Sequence, residues 1–121
     1  MNFNDYCWHD AIVKNIFIDR SNPGINDSIR LDIMWSDRTC SRIIFEEVYL
    51  AKFNLNFGVI STENILNAKI ADSDNEDLSD LYLKWKGLLD NIILNCYVIN
   101  LNSTGGEIKI ISKDCKILDL E

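Results

Sequence analysis

The sequence predicts an α+β fold that is mainly β: an antiparallel sheet, built as a sandwich or a partly open barrel, with one short helix packed on it. Three observations carry this. From Ser28 to Trp35 the residues Ile29, Leu31, Ile33 and Trp35 alternate with Ser28, Arg30, Asp32 and Met34, the period of a strand buried on one face. Stretches of the same kind recur along the chain between clusters of turn residues. Only the segment after Ser73 combines helical spacing with helix-capping residues.

The elements follow in order. Ala11 to Asp19 is rich in Ile and Val and runs into Ser21-Asn22-Pro23-Gly24, where Pro presets one turn angle and Gly permits the next. The strand from Ser28 to Trp35 is followed by the tight link Ser36-Asp37-Arg38 and by a strand over Cys40 to Phe45, so an antiparallel meander is the simplest arrangement. Glu47 to Phe53 also suits a strand, and the doublet Glu46-Glu47 admits a bulge. Val59-Ile60 is expected to start another short strand, and Asn64 to Ala71 reads as a strand in preference to a helical turn.

Ser73 and Glu76 stand in the capping-box relation, with Asp74 and Asp77 at the positive helix end. This predicts a helix over Asp74 to Lys86 that buries Leu78, Leu81, Tyr82 and Trp85 and stops at Gly87. Leu94 to Leu101 and Glu107 to Ser112 read as a hairpin turning at Asn102-Ser103-Thr104-Gly105-Gly106, and Cys115 to Leu120 adds a last strand. With 121 residues and neither a repeat nor a linker, residues 1–121 are expected to form one domain, burying about two thirds of the unfolded chain's surface.

Twelve basic against nineteen acidic side chains give a net charge of −7. Phosphate would be repelled by that field, so nucleic acid is not an expected partner, whereas a basic protein would be steered toward it. No segment has the uninterrupted apolar length of a membrane span. The first ten residues contain Asp5 and Asp10 but no Lys or Arg, which is not the pattern of an export signal, and a cytoplasmic protein with reduced thiols is expected. Cys7, Cys40, Cys96 and Cys115 form no C-x-x-C pair.

No spacing marks a cofactor or a metal site, so none of either is expected. His9, the sole histidine, lies between Trp8 and Asp10; an imidazole oriented by a carboxylate is the one candidate for acid–base catalysis, as in a hydrolase or transferase. Tethering the entry to the first strand is the plainer role for it. Asp72, Asp74, Glu76, Asp77 and Asp80 form the densest acidic cluster, without the glycine and distal Glu of a calcium loop. Together with Tyr6 and Trp8, aromatics expected at exposed or edge positions, they are the candidate partner-binding residues.

Trp8-His9-Asp10-Ala11, an Ile-rich strand, a turn, an alternating strand and then Ile44-Phe45-Glu46-Glu47-Val48 resemble the ordering in small uncharacterised bacterial β-rich proteins, some of them like immunity proteins of polymorphic toxin systems. That resemblance implies a protein that neutralises a toxin by binding it, without catalysis or cofactor. The leading expectation is therefore a small soluble protein-binding module with a basic partner. The alternatives are an enzyme using His9 with Asp10, and a β-barrel holding a small apolar ligand.

Overall fold

The computed structural model describes residues 2–89 and 91–120. Six strands, β1 (Ile12–Asp19), β2 (Ser28–Met34), β3 (Cys40–Asn54), β4 (Ile65–Ile70), β5 (Asn95–Leu101) and β6 (Glu107–Leu120), form one antiparallel sheet in the order β1-β2-β3-β6-β5-β4. Two three-stranded meanders thus lie side by side, joined by the long β3–β6 ladder that runs from Cys40↔Leu120 to Asn54↔Glu107. A 3₁₀ turn over Phe3–Asp5 precedes β1, and the helix α1 (Glu76–Lys84) lies between β4 and β5. None of the helices of the described residues is long and apolar enough to cross a membrane.

The sheet curls until its two outer strands touch at one end. Asp10 N–H donates to the Ile65 carbonyl (2.9 Å), Ile65 N–H to Ala11 (2.8 Å) and Val13 N–H to Glu63 (2.9 Å), around the single bridge Ile12↔Asn64. Beyond that seam β1 and β4 separate, so the barrel is partly open. Farther along β4, the N-terminal segment takes over the edge, because Ile70 N–H donates to Asn4 Oδ1 at 2.8 Å.

The hollow of the curl is filled by Leu31, Ile43, Phe45, Ile65, Ile99 and Ile108, all fully buried, and is closed at one end by Phe3, Trp8 and Tyr97. A second cluster lies on the opposite face, where Leu78 and Leu81 of α1 and the following Leu89 cover Cys96 and Val98 of β5 and Ile111 of β6. Each such buried side chain stabilises the fold by about 1.5–3 kcal/mol. β5 and β6 are consequently apolar on both faces, while β2 is buried on one.

Several expectations are corrected. Cys40–Phe45 and Glu47–Phe53 are one continuous strand, β3, and Glu107–Ser112 and Cys115–Leu120 are one strand, β6. The interruptions are irregularities within strands: Glu47 takes a left-handed φ of 52°, and the β3–β6 register slips between Val48 and Leu50. Val59-Ile60 forms no strand, because Gly58 at φ 91° and the Ser61 N–H to Val59 carbonyl bond hold it in a turn.

The helix is shorter than expected and is capped by Asn75, whose Oδ1 accepts from Leu78 N–H at 3.2 Å, and not by Ser73. Trp85, expected in the buried stripe, falls just past α1 as its C-cap and is 44% exposed. Trp8, expected near the surface, is only 4% exposed and donates its indole N–H to the Phe3 carbonyl at 2.7 Å.

Candidate functional site

His9 sits on the seam between β1 and β4. Its Nδ1–H donates to the Leu66 carbonyl at 3.1 Å, and Nε2 stands 3.5 Å from Asp10 Oδ2. Both ring nitrogens therefore face groups of the chain itself, and both side chains are largely exposed. Asp10, held at φ 66°, contributes its backbone to the seam. The arrangement ties the N-terminal segment to β4, and the clefts described below are lined by other residues.

Two of the thiols, Cys96 and Cys115, are set in apolar surroundings. Burial raises the pKa of Cys96 and pushes that of Cys115 up to about 12, the opposite of what a reactive thiolate needs. These two cysteines belong to clusters on opposite faces of the sheet, and all four are free.

The acidic cluster divides by role. Asp72, Asp74, Glu76 and Asp80 are exposed around the start of α1. Asp77 is an internal strut: its two oxygens accept from Lys109 Nζ of β6 and Lys52 Nζ of β3, each at 2.6 Å. Those hydrogen bonds, the Lys109 one foremost, hold its carboxyl below the ordinary value. No three His, Cys, Asp or Glu side chains converge in a way that would hold a metal ion among the described residues. Tyr6 is half-buried and stacks on Trp35, with ring centroids 5.3 Å apart and planes 18° apart, so it extends the aromatic plug formed by Phe3 and Trp8.

The feature that sequence reasoning passed over is a cleft of about 640 Å³ beside the β3 bulge. One wall is the loop between β1 and β2, where the Asn22 carbonyl accepts from both Ile25 and Asn26 N–H, placing Ile25 at an exposed tip. The floor is Val48 and Tyr49, pinned because Val48 N–H reaches across the bulge to the Asp27 carbonyl at 3.0 Å. The far wall is the turn after α1, which presents Trp85 and Leu88 outward and Leu89 inward. Tyr82 steadies the segment between that turn and β5, donating its hydroxyl to the Ile92 carbonyl at 2.6 Å and accepting from Leu94 N–H at 3.0 Å. A second cleft of about 370 Å³ shares Asp27, Val48 and Tyr49 with the first.

Two carboxylates stand in this apolar setting. Asp27 is 25% exposed; its Oδ2 accepts from Gly24 N–H at 2.9 Å, while its Oδ1 is buried and accepts no hydrogen bond among the described residues. The Arg20 Nε is 3.9 Å from Oδ1, beyond hydrogen-bond distance. Glu47 is half exposed, 3.7 Å from Lys113 Nζ. Ile25, Tyr49, Trp85 and Leu88 around them are between 40% and 77% exposed, the composition of a contact surface with aromatic anchors. The Glu46-Glu47 doublet, which admits a bulge, is the one sequence signal for this place; the facing walls come from the segments around Ile25 and Trp85, both distant in the chain.

No protein-family model matches the chain, and no curated protein matches it.

Proposed function

We propose that the protein is a binding module that engages a basic protein through the cleft between the β1–β2 loop, the β3 bulge and the turn after α1. The observation that carries this is the joint exposure of Ile25, Tyr49, Trp85 and Leu88 in a cleft that Asp27 and Glu47 also line. Apolar and aromatic groups of this kind supply affinity once covered, and the −7 net charge speeds the encounter with a cationic surface. The resemblance to toxin-neutralising immunity proteins supports the same reading: a cytoplasmic protein that occludes a basic toxin domain.

The exposed acids Asp72, Asp74, Glu76 and Asp80 are assigned to steering, since exposed charges act at a distance and are screened by salt. Asp77 is committed to Lys52 and Lys109, and Trp8 to the core, so neither has a part in the contact.

A photo-crosslinking amino acid placed at Leu88 in source cells tests this, with Leu118 as a control position on another part of the surface. The expected product is a basic protein joined at Leu88 alone, which, once purified, binds the chain at least tenfold more weakly after Trp85→Ala with Leu88→Ser. Equal crosslinking from Leu118, or unchanged binding by the double variant, would overturn the proposal.

A further inference from the structure

The two edges of the sheet are finished differently. Along β4, Asn4 Oδ1 takes the Ile70 N–H, and the Leu66 and Ile65 carbonyls accept from His9 and from the Asp10 N–H. Along β1 such cover stops at Val13, and among the described residues no other strand or loop bonds to the outer edge of residues 15–19. A cleft of about 490 Å³ separates the start of that edge from Phe57 and Val59 in the loop after β3. An unpaired edge carries a row of N–H and C=O groups that can template another strand. Phe17 and Ile18, 45% and 55% exposed, stand on the same run.

We propose that this edge pairs with itself: two copies of the chain join β1 to β1, antiparallel, about a two-fold axis at Phe17. An axis normal to the sheet keeps every residue on its own face, so residues that meet are an even number apart in the chain. The register centred on Phe17 uses the whole free run. It sets Phe17 against Phe17, Ile16 against Ile18 and Asn15 against Asp19.

Two observations favour a second copy as the occupant. The charges at the ends of the run are opposite, with Lys14 as the extra residue of the bulge between Val13 and Asn15, and Asp19 at the far end. Neither has an ion-pair partner among the described residues. Antiparallel joining brings each Lys14 beside the other copy's Asp19, whose Oδ1 is held in place by the Ser21 N–H and hydroxyl at 2.9 and 2.7 Å; a parallel, in-register joint would set like charges together. Ile16 and Ile18 lie on the inner face, opposite Leu31 and Ile29 of β2, so the second copy's Ile18 arrives beside Ile16, at the cleft that Phe57 and Val59 also line. Apolar surface exposed on both copies is thereby covered. On the outer face the two Phe17 rings meet, each with its own Arg30 guanidinium 4.8 Å from the centroid. The joint uses none of the residues assigned to the cleft beside the β3 bulge.

Sedimentation equilibrium of the full chain in about 0.15 M salt is expected to show a monomer–dimer equilibrium with Kd of about 10–100 μM. Isotope-filtered NOE spectra of mixed labelled and unlabelled chain should show Ile16–Ile18 contacts between copies. Phe17→Lys should weaken the dimer at least tenfold and Leu118→Lys, the same change elsewhere on the sheet, less than twofold. Lys14→Glu should weaken it at least fivefold, and Lys69→Glu, on the covered edge, less than twofold. A chain that stays monomeric at about 1 mM, a dimer without the Ile16–Ile18 contacts, or equal effects of Phe17→Lys and Leu118→Lys would overturn the proposal; the first two outcomes need no variant to fold.

Discussion

β2 and β5 occupy equivalent places, each the middle strand of a meander, yet they are buried in different ways. β2 alternates strictly, with Ile29, Leu31 and Ile33 inward and Arg30 and Asp32 on a face that no helix of the described residues covers. β5 is buried at Cys96, Tyr97, Val98 and Ile99 in succession, because α1 lies across its outer face. A strand's pattern therefore reports how many layers flank it: one gives alternation, two give a continuous apolar run. The cleft lies where the one-layer half meets the two-layer half, and its walls come from the β1–β2 loop on one side and the end of α1 on the other.

Polar substitution on the outer face is the strongest way to break this comparison. Val98→Asn, beneath α1, is expected to cost about 3 kcal/mol, whereas Arg30→Asn on β2 should stay within about 0.5 kcal/mol; urea unfolding of the two variants checks this. Similar losses would mean that β2 is also covered.

The hairpin turns give a second contrast. A Cβ on Gly106 would collide with the Asn54 carbonyl oxygen at the end of β3, while one on Gly24, at φ 83°, would meet open space. Gly106→Ala should destabilise by about 2 kcal/mol or more and Gly24→Ala by about 1 kcal/mol, the latter from backbone conformation alone. Thermal unfolding midpoints in that order would support the difference.

Helix docking through Asp77 comes next. Its carboxyl is held low by Lys109 and then Lys52, so its stabilisation is complete above the unfolded carboxylate value of about 4 and is lost as pH falls through the depressed folded value. Asp77→Asn should cost about 1–2 kcal/mol at pH 7, and the gap from the parent protein should close below about pH 4 in urea titrations. In the other meander Asp32 is likewise lowered, chiefly by its hydrogen bond from Arg42, so the variant should retain part of the acid-limb slope.

The smallest effect is expected at His9. Its bond to Leu66 joins largely exposed groups on the seam, and His9→Ala should alter stability by no more than about 1 kcal/mol, with faster amide exchange near Leu66 as the visible consequence. A larger loss would show that the seam holds the curl as firmly as the β3–β6 ladder does.

Much of the fold was readable in local pattern. The strands at Ile12–Asp19, Ser28–Met34, Ile65–Ile70 and Asn95–Leu101, and the glycine-bearing turn before β6, announce themselves through alternation and turn residues whose effects are short in range. The helix was legible in place but not in its ends, since Asn75 outcompeted Ser73 for the cap and the chain left helical geometry before Trp85 could reach the sheet. Trp8 was misplaced for a related reason: nothing local says that a short N-terminal turn folds over an open end of the sheet and plugs it.

The candidate site was the least legible part. Asp72, Asp74, Glu76, Asp77 and Asp80 look alike as a charge cluster, and only the approach of Lys52 and Lys109 separates Asp77 from the rest. Asp27, Tyr49 and Trp85 share no motif or spacing.

Sequence by itself determined which segments extend, where they turn and which side of β2 avoids water, because these depend on backbone sterics and on the period of apolar side chains. Only the tertiary structure decided that two meanders join through β3 and β6, that the sheet curls short of closure, and that a loop, a bulge and a helix end enclose one cleft. Those outcomes depend on contacts between residues distant in the chain, as the joining of Asp77 to Lys52 and Lys109 does.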